Sequence, residues 1–195
     1  MPMSSAFPEI YLVRHGETEW SRSGRHTGRT DIPLTANGEA AAGKLTDRLS
    51  GLTFSAVWSS PSARARKTCA LAGFGSEAII RDDLAEWDYG AYEGITTKEI
   101  LAVRPGWQLF RDGCPNGEFA ADVGARADAV IHALRQTAGT VLIFSSSHFL
   151  RVLAARWLGL PPEGGVYFSL DTTSISMLGY EHDLSEPVIR GWNQR

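Results

Sequence analysis

Short apolar runs alternate with helical stripes along most of this chain. Ile10 to Val13 is a β-branched and aromatic run that stops abruptly at Arg14, as a buried strand does when it leaves a sheet. Phe54 to Trp58, Ala78 to Arg81 and Thr140 to Phe144 predict three further strands, the last the most strongly apolar. Between them the period lengthens. Thr35 is a good N-cap for a helix whose stripe runs through Ala40, Ala41, Leu45 and Leu49 and ends at Gly51. A second helix is predicted after the turn Ser59-Ser60-Pro61. It carries Arg64, Arg66 and Lys67, of which Arg66 and Lys67 read as solvated charges on its outer side.

The stretch from Gly90 to Gly117 is less regular, with one helix expected over Thr96 to Val103. Glu118 to Thr137 predicts a long amphipathic helix, because Phe119, Val123, Ala127, Val130, Ile131 and Leu134 recur three or four residues apart. Phe149 to Leu158 predicts a buried helix stopped by Gly159. Tyr167 to Leu170, Ser174 to Tyr180 and Pro187 to Trp192 predict closing strands. Strand and helix in alternation predict an α/β fold: one domain over 1–195, a three-layer α/β/α sandwich with a mostly parallel central sheet.

Bulk properties narrow the partners. The 195 residues carry a net charge of −3, so no basic field advertises nucleic acid. Met1 to Pro8 has neither a charged nor an apolar leader segment, and no apolar run approaches the roughly 20 residues of a membrane span. The two cysteines, Cys69 and Cys114, offer neither a disulfide framework nor metal spacing and point to a reducing cytoplasm. No metal or cofactor is implied. Oligomeric state stays open, a homodimer included, with Trp107 and Phe110 read as exposed aromatics that an interface would use.

Candidate chemistry begins at the end of the first strand, in Arg14-His15-Gly16-Glu17-Thr18-Glu19-Trp20. Loops at the carboxyl ends of parallel strands converge on a crevice, which is where ligands of such sheets bind. A neutral imidazole can attack phosphorus while a neighbouring guanidinium holds the phosphate oxygens. Cationic neighbours lower an imidazole pKa and keep the ring unprotonated.

Arg14-His15-Gly16-Glu17-Thr18 resembles the signature of the histidine phosphatase superfamily, the phosphoglycerate mutase-like proteins, and four further segments match in chain order. The resemblance implies that His15 forms a phosphohistidine and that Arg14 and Arg64 clamp phosphate. Arg64 is marked by its place four residues after Ser60 in Ser60-Pro61-Ser62-Ala63-Arg64. Glu86, in Leu84-Ala85-Glu86-Trp87-Asp88-Tyr89-Gly90-Ala91-Tyr92-Glu93-Gly94, is implied as the acid–base residue that protonates the leaving alkoxide. Asp88 and Glu93 are chemically equal to it on sequence alone.

Ser21, Thr27 and Gly28 match a loop that approaches the phosphate, and His26 in the same loop is a candidate substrate contact. Similarity to the sedoheptulose-1,7-bisphosphatase-like phosphatases would add Ser60, Tyr89, Arg151 and His182 as lining of a sugar-phosphate pocket.

One position departs from the pattern. The family places a second histidine, followed by Gly, five residues before the Arg that is Arg151 here; this chain has Ser146 and Ser147. His148 follows at once but matches a different family position, and two residues along a helix change direction. Ser146 can donate only a neutral hydrogen bond. The resemblance therefore implies a phosphatase for small phosphorylated metabolites, slowed at Ser146. Two alternatives remain: a phosphoglycerate mutase-type phosphotransferase, or a phosphate-ester-binding protein with weakened turnover. Few basic residues fall between Glu86 and Ser146 (Lys98, Arg104, Arg111, Arg126 and Arg135), which favours hydrolysis over a mutase.

Overall fold

The computed structural model describes residues 7–195, so most of the Met1 to Pro8 stretch lies outside the described residues. Six strands form one sheet in the order β3-β2-β4-β1-β5-β6. Four are mutually parallel: β1 (Ile10–Arg14), β2 (Ala56–Ser59), β3 (Ala78–Ile80) and β4 (Val141–Ser145). β5 (Ile175–Tyr180) runs antiparallel to β1, and β6 (Pro187–Gln194) runs antiparallel to β5.

The central strands are continuous apolar runs because helices cover both faces of the sheet. Alternate side chains separate into two cores. Ile10, Leu12, Val141 and Ile143 pack with the helices α7 (Ala120–Gln136) and α8 (Ser147–Trp157). Tyr11, Val13, Leu142 and Phe144 face Leu45, Leu49, Cys69 and Ala72 on the other side. The period of two along each strand thus becomes two layers of core.

Those last residues belong to α3 (Leu45–Arg48) and α4 (Ala63–Leu71) or lie just beyond their ends. Thr35 caps α2 (Ala36–Gly43) by accepting the Gly38 N–H. The stripe predicted here is shifted: Ala40 is exposed, and Gly38, Ala42, Leu45 and Leu49 face inward across a break at Lys44. A short α1 (Glu19–Ser23), not predicted, is held by a capping box in which Thr18 and Ser21 exchange hydrogen bonds. α5 (Thr97–Val103) and α6 (Leu109–Asp112) occupy the irregular segment.

The strand predicted over Tyr167 to Leu170 is absent. Pro162–Tyr167 is a 3-10 turn opened by Pro161 and Pro162, and the chain then reaches β5 without forming another strand. Among the described residues no helix is long and apolar enough to cross a membrane.

Candidate active site

Every parallel strand delivers polar residues to the same edge of the sheet. β1 ends in Arg14 and His15, β2 leads through Ser60 into Arg64 on α4, the turn after β3 leads to Glu86, and β4 leads to Ser146 and Ser147 at the start of α8. The Ser145 hydroxyl donates to the Leu84 carbonyl at 2.7 Å and ties two of these ends together.

His15 is buried at the base of this edge. Its backbone N–H donates to Ser145, and the next N–H, of Gly16, donates to the Thr68 hydroxyl at 2.9 Å. Its Nδ1 lies 2.7 Å from the Gly16 carbonyl. A carbonyl can only accept, so the proton sits on Nδ1 and Nε2 keeps its lone pair. Burial, with the Arg64 and Arg14 cations beside it, pushes the imidazole well below its ordinary range and keeps the ring neutral.

The two arginines are held by backbone carbonyls. Arg14 Nη1 donates to Leu170 at 2.6 Å, and Arg64 donates to Thr30, Thr27 and Gly28 at 3.0–3.1 Å. Arg64 Nη2 also lies 3.4 Å from the Ser146 hydroxyl. Both Nε atoms are buried without a hydrogen-bond partner among the described residues. Orphaned, charged N–H donors at such depth suit an oxyanion.

Glu86 is buried and lies across the N-terminus of α8. Oε1 accepts from Trp87 N at 2.9 Å and Phe149 N at 2.8 Å, and Oε2 accepts from His148 N at 3.1 Å. Asp88 and Glu93 are otherwise occupied. Asp88 pairs with Arg29 at 2.7 Å, and Glu93 receives the N–H groups of Gly28 and Thr30. Gly28 has room only for hydrogen, since a Cβ would come within 2.7 Å of both Glu93 and the Trp87 carbonyl.

A cavity of about 610 Å³ opens over the group, lined by Arg14, His15, Ser21, Thr27, Glu86, Tyr89, Ser147, His148 and Arg151. His26, Trp107 and Phe110 complete one wall.

The histidine phosphatase superfamily (branch 1) model matches residues 10–195. The chain belongs to this superfamily. It is 42% identical over 187 residues to an acid phosphatase of Mycobacterium tuberculosis, covering 93% of this chain and 91% of that protein. It is 36% identical over 190 residues to sedoheptulose 1,7-bisphosphatase of Saccharomyces cerevisiae, covering 81% of this chain and 70% of that protein. The solved structure of an open reading frame product of Mycobacterium tuberculosis superposes with a TM-score of 0.89 at 39% identity, covering 95% and 97% of the two chains. The names of these relatives support a phosphomonoester hydrolase.

For a histidine phosphatase of this kind, most of the residues expected from sequence are brought together, with exceptions. Ser146 and Arg64 are wholly buried beneath the cavity rather than on its wall. Ser60 and Gly28 line a neighbouring cavity of about 550 Å³ that shares only Glu86 with the main one. Ser60 is directed there because its hydroxyl turns toward Ser62 at the entry to α4.

His182 is a correction. It sits in the exposed turn between β5 and β6, paired with Glu186 at 2.7 Å, and does not line the cavity. Trp107 and Phe110 are a second correction, being 5% and 4% exposed because they form cavity wall rather than outer surface. Arg25, overlooked in the sequence, also lines the cavity. Arg66 is exposed, and Lys67 pairs with Glu39 at 3.6 Å.

Proposed function

We propose that this chain hydrolyses small phosphomonoesters, sugar phosphates and bisphosphates among them, through a phosphohistidine at His15. The observation that carries this reading is the His15 imidazole, with its proton on Nδ1, its Nε2 lone pair available and the Arg64 and Arg14 cations near it, whose Nε donors lack partners among the described residues. Nε2 attacks phosphorus, the P–O bond to the substrate alcohol breaks, and Glu86 Oε2 delivers a proton to the departing oxygen. Water then transfers a proton to Glu86 and attacks the phosphorus, releasing phosphate and returning His15 to its neutral form. Arg14, on the cavity wall, holds non-bridging oxygens through both steps, and Arg64, buried beneath, adds positive charge under the phosphate.

Hydrolysis is favoured over internal transfer by the cavity wall. None of Lys98, Arg104, Arg111, Arg126 and Arg135 lines it. Arg126 instead pairs with Glu118, and Arg111 pairs with Asp112. A mutase would need cations around a bound bisphosphate, and beyond Arg14 the described wall offers Arg25 and Arg151 alone. A cytoplasmic setting fits the unpaired, buried thiols of Cys69 and Cys114.

The test is phosphate release from a panel of sugar phosphates and phosphoglycerates, with and without a chelator, by the native chain and His15→Ala. Release that survives the chelator and disappears in the variant is the expected result. Full activity in His15→Ala, or its loss with the chelator, would show that the mechanism is wrong.

A further inference from the structure

The wall of the cavity carries two imidazoles, His26 and His148, with ring centroids 6.4 Å apart and planes within 20° of each other. Their hydrogen bonds leave them in opposite states. His26 Nδ1 lies 2.8 Å from the Ile95 carbonyl, so it carries the proton and leaves Nε2 a bare acceptor. His148 Nδ1 lies 2.6 Å from the Tyr89 hydroxyl. That hydroxyl has no other hydrogen-bond partner among the described residues, so donation to Nδ1 is the arrangement that leaves no buried phenol proton unpaired, and it puts the His148 proton on Nε2.

Burial supports both assignments. It lowers the pKa of His26 and of His148, the latter helped by Arg151, and raises that of Tyr89, so all three are neutral at pH 7. Neither Nε2 has a protein partner among the described residues. Trp107 packs in a T-shaped contact with His26, and Phe110 does so with His148, which restrains both rings.

One neutral acceptor and one neutral donor, side by side on an aromatic wall, match groups that both give and receive a proton. Sugar hydroxyls do this. At this point of the wall a carboxylate or a second phosphate, only an acceptor, would meet the lone pair of His26, so a bisphosphate would present a hydroxyl here and its second phosphate elsewhere, while an aryl leaving group would use neither nitrogen. We propose that His26 is a specificity residue that accepts a hydrogen bond from a hydroxyl of the leaving group, while His148 donates to a neighbouring hydroxyl oxygen, selecting polyol phosphates. This rests on the reading of the cavity as a phosphomonoesterase site. Sites built to pair a substrate hydroxyl discriminate strongly, because their polar groups are otherwise left unpaired.

The experiment compares kcat/KM for a hexose phosphate with that for phenyl phosphate in the native chain, His26→Phe, His26→Gln and Tyr89→Phe, all checked for folding by circular dichroism. His26→Phe keeps an aromatic ring without an acceptor and is expected to lower the hexose-to-phenyl ratio at least about tenfold, chiefly through KM for the hexose ester. His26→Gln, which presents an amide oxygen near the Nε2 position, is expected to recover the ratio to within about threefold. Tyr89→Phe releases the His148 tautomer and is expected to lower the same ratio, which keeps the test decisive if His26→Phe does not fold. An unchanged ratio in folded His26→Phe, or an equal loss on both esters, overturns the proposal while leaving the phosphatase reading intact. If the native chain hydrolyses neither ester, the phosphatase reading fails and this inference falls with it.

Discussion

Under the proposed mechanism, Ser146 is the residue on which the rate is expected to turn. It is wholly buried, with its hydroxyl 3.4 Å from Arg64 Nη2, where the family pattern has an imidazole. In phosphoryl transfer the protein contributes mainly positioning and charge stabilisation, and removing one donor of that kind typically costs about 10²–10³ in rate. His148 is no equivalent replacement, since Tyr89 engages its Nδ1 and burial keeps its ring neutral, so it offers an uncharged donor at most. The native chain is therefore expected to be slow, and the Ser146→His, Ser147→Gly double variant to hydrolyse phosphate esters at least about tenfold faster. Steady-state phosphate release, matched for folding by circular dichroism, measures this. Equal rates would mean that another group already supports the transition state.

At the scale of elements, Glu86 belongs as much to α8 as to the chemistry. α8 has Ser146 at its N-cap without a side-chain cap bond, and the Glu86 carboxylate receives the His148 and Phe149 N–H groups instead. Arg126 braces the segment that carries it, donating to the Ala85 carbonyl at 2.9 Å and to the Glu86 carbonyl at 3.3 Å while pairing with Glu118. Glu86→Ala removes a cap worth about 1 kcal/mol and leaves buried N–H groups unpaired, for a total loss of about 2–3 kcal/mol. Glu86→Gln keeps an amide oxygen for Trp87 and Phe149, so about 1 kcal/mol is the expected loss. If Glu86 is the proposed proton donor, both variants are expected to lower the rate by about 10²-fold or more. Urea midpoints beside phosphate release separate the two effects. Equal stability in Glu86→Ala and the native chain would show that α8 does not depend on this carboxylate.

Across the whole molecule, burying three imidazoles links folding to pH. His15, His26 and His148 all have pKa values lowered by burial. An unfolded histidine titrates near ~6.5, so above that pH neither state binds the proton and the contribution to stability is complete. As pH falls below it, the unfolded chain takes up protons that the folded chain refuses, and stability declines. Each histidine contributes a slope of at most about 1.4 kcal/mol per pH unit. The urea midpoint is expected to drop between about pH 7.5 and about pH 5.5, with a shallower drop in His148→Gln. A midpoint that stays level over this interval would contradict neutral burial of the three rings.

What the sequence determined by itself was periodic or adjacent. The run Ile10 to Val13, the stripe from Val123 to Leu134 and the cap at Thr35 are local patterns, and each formed the expected element because the packing partner of a strand or helix is set by its own period. The placement of Arg14, His15, Arg64 and Glu86 at the ends of parallel strands was legible for the same reason, since chain order in an alternating fold carries residues to one edge. Residue type and spacing left Glu86, Asp88 and Glu93 equal, the resemblance alone singled out Glu86, and the tertiary structure places Glu86 at the cavity. Asp88 and Glu93 differ from Glu86 in partners far along the chain or across a loop, and no local pattern encodes those partners. His182 was drawn to the pocket by likeness alone, yet the β5–β6 turn holds it in solvent beside Glu186. The protons of His15, His26 and His148 were equally invisible in sequence. A tautomer is fixed by whichever carbonyl or hydroxyl the fold brings to Nδ1, and for His26 and His148 that group lies 69 and 59 residues away.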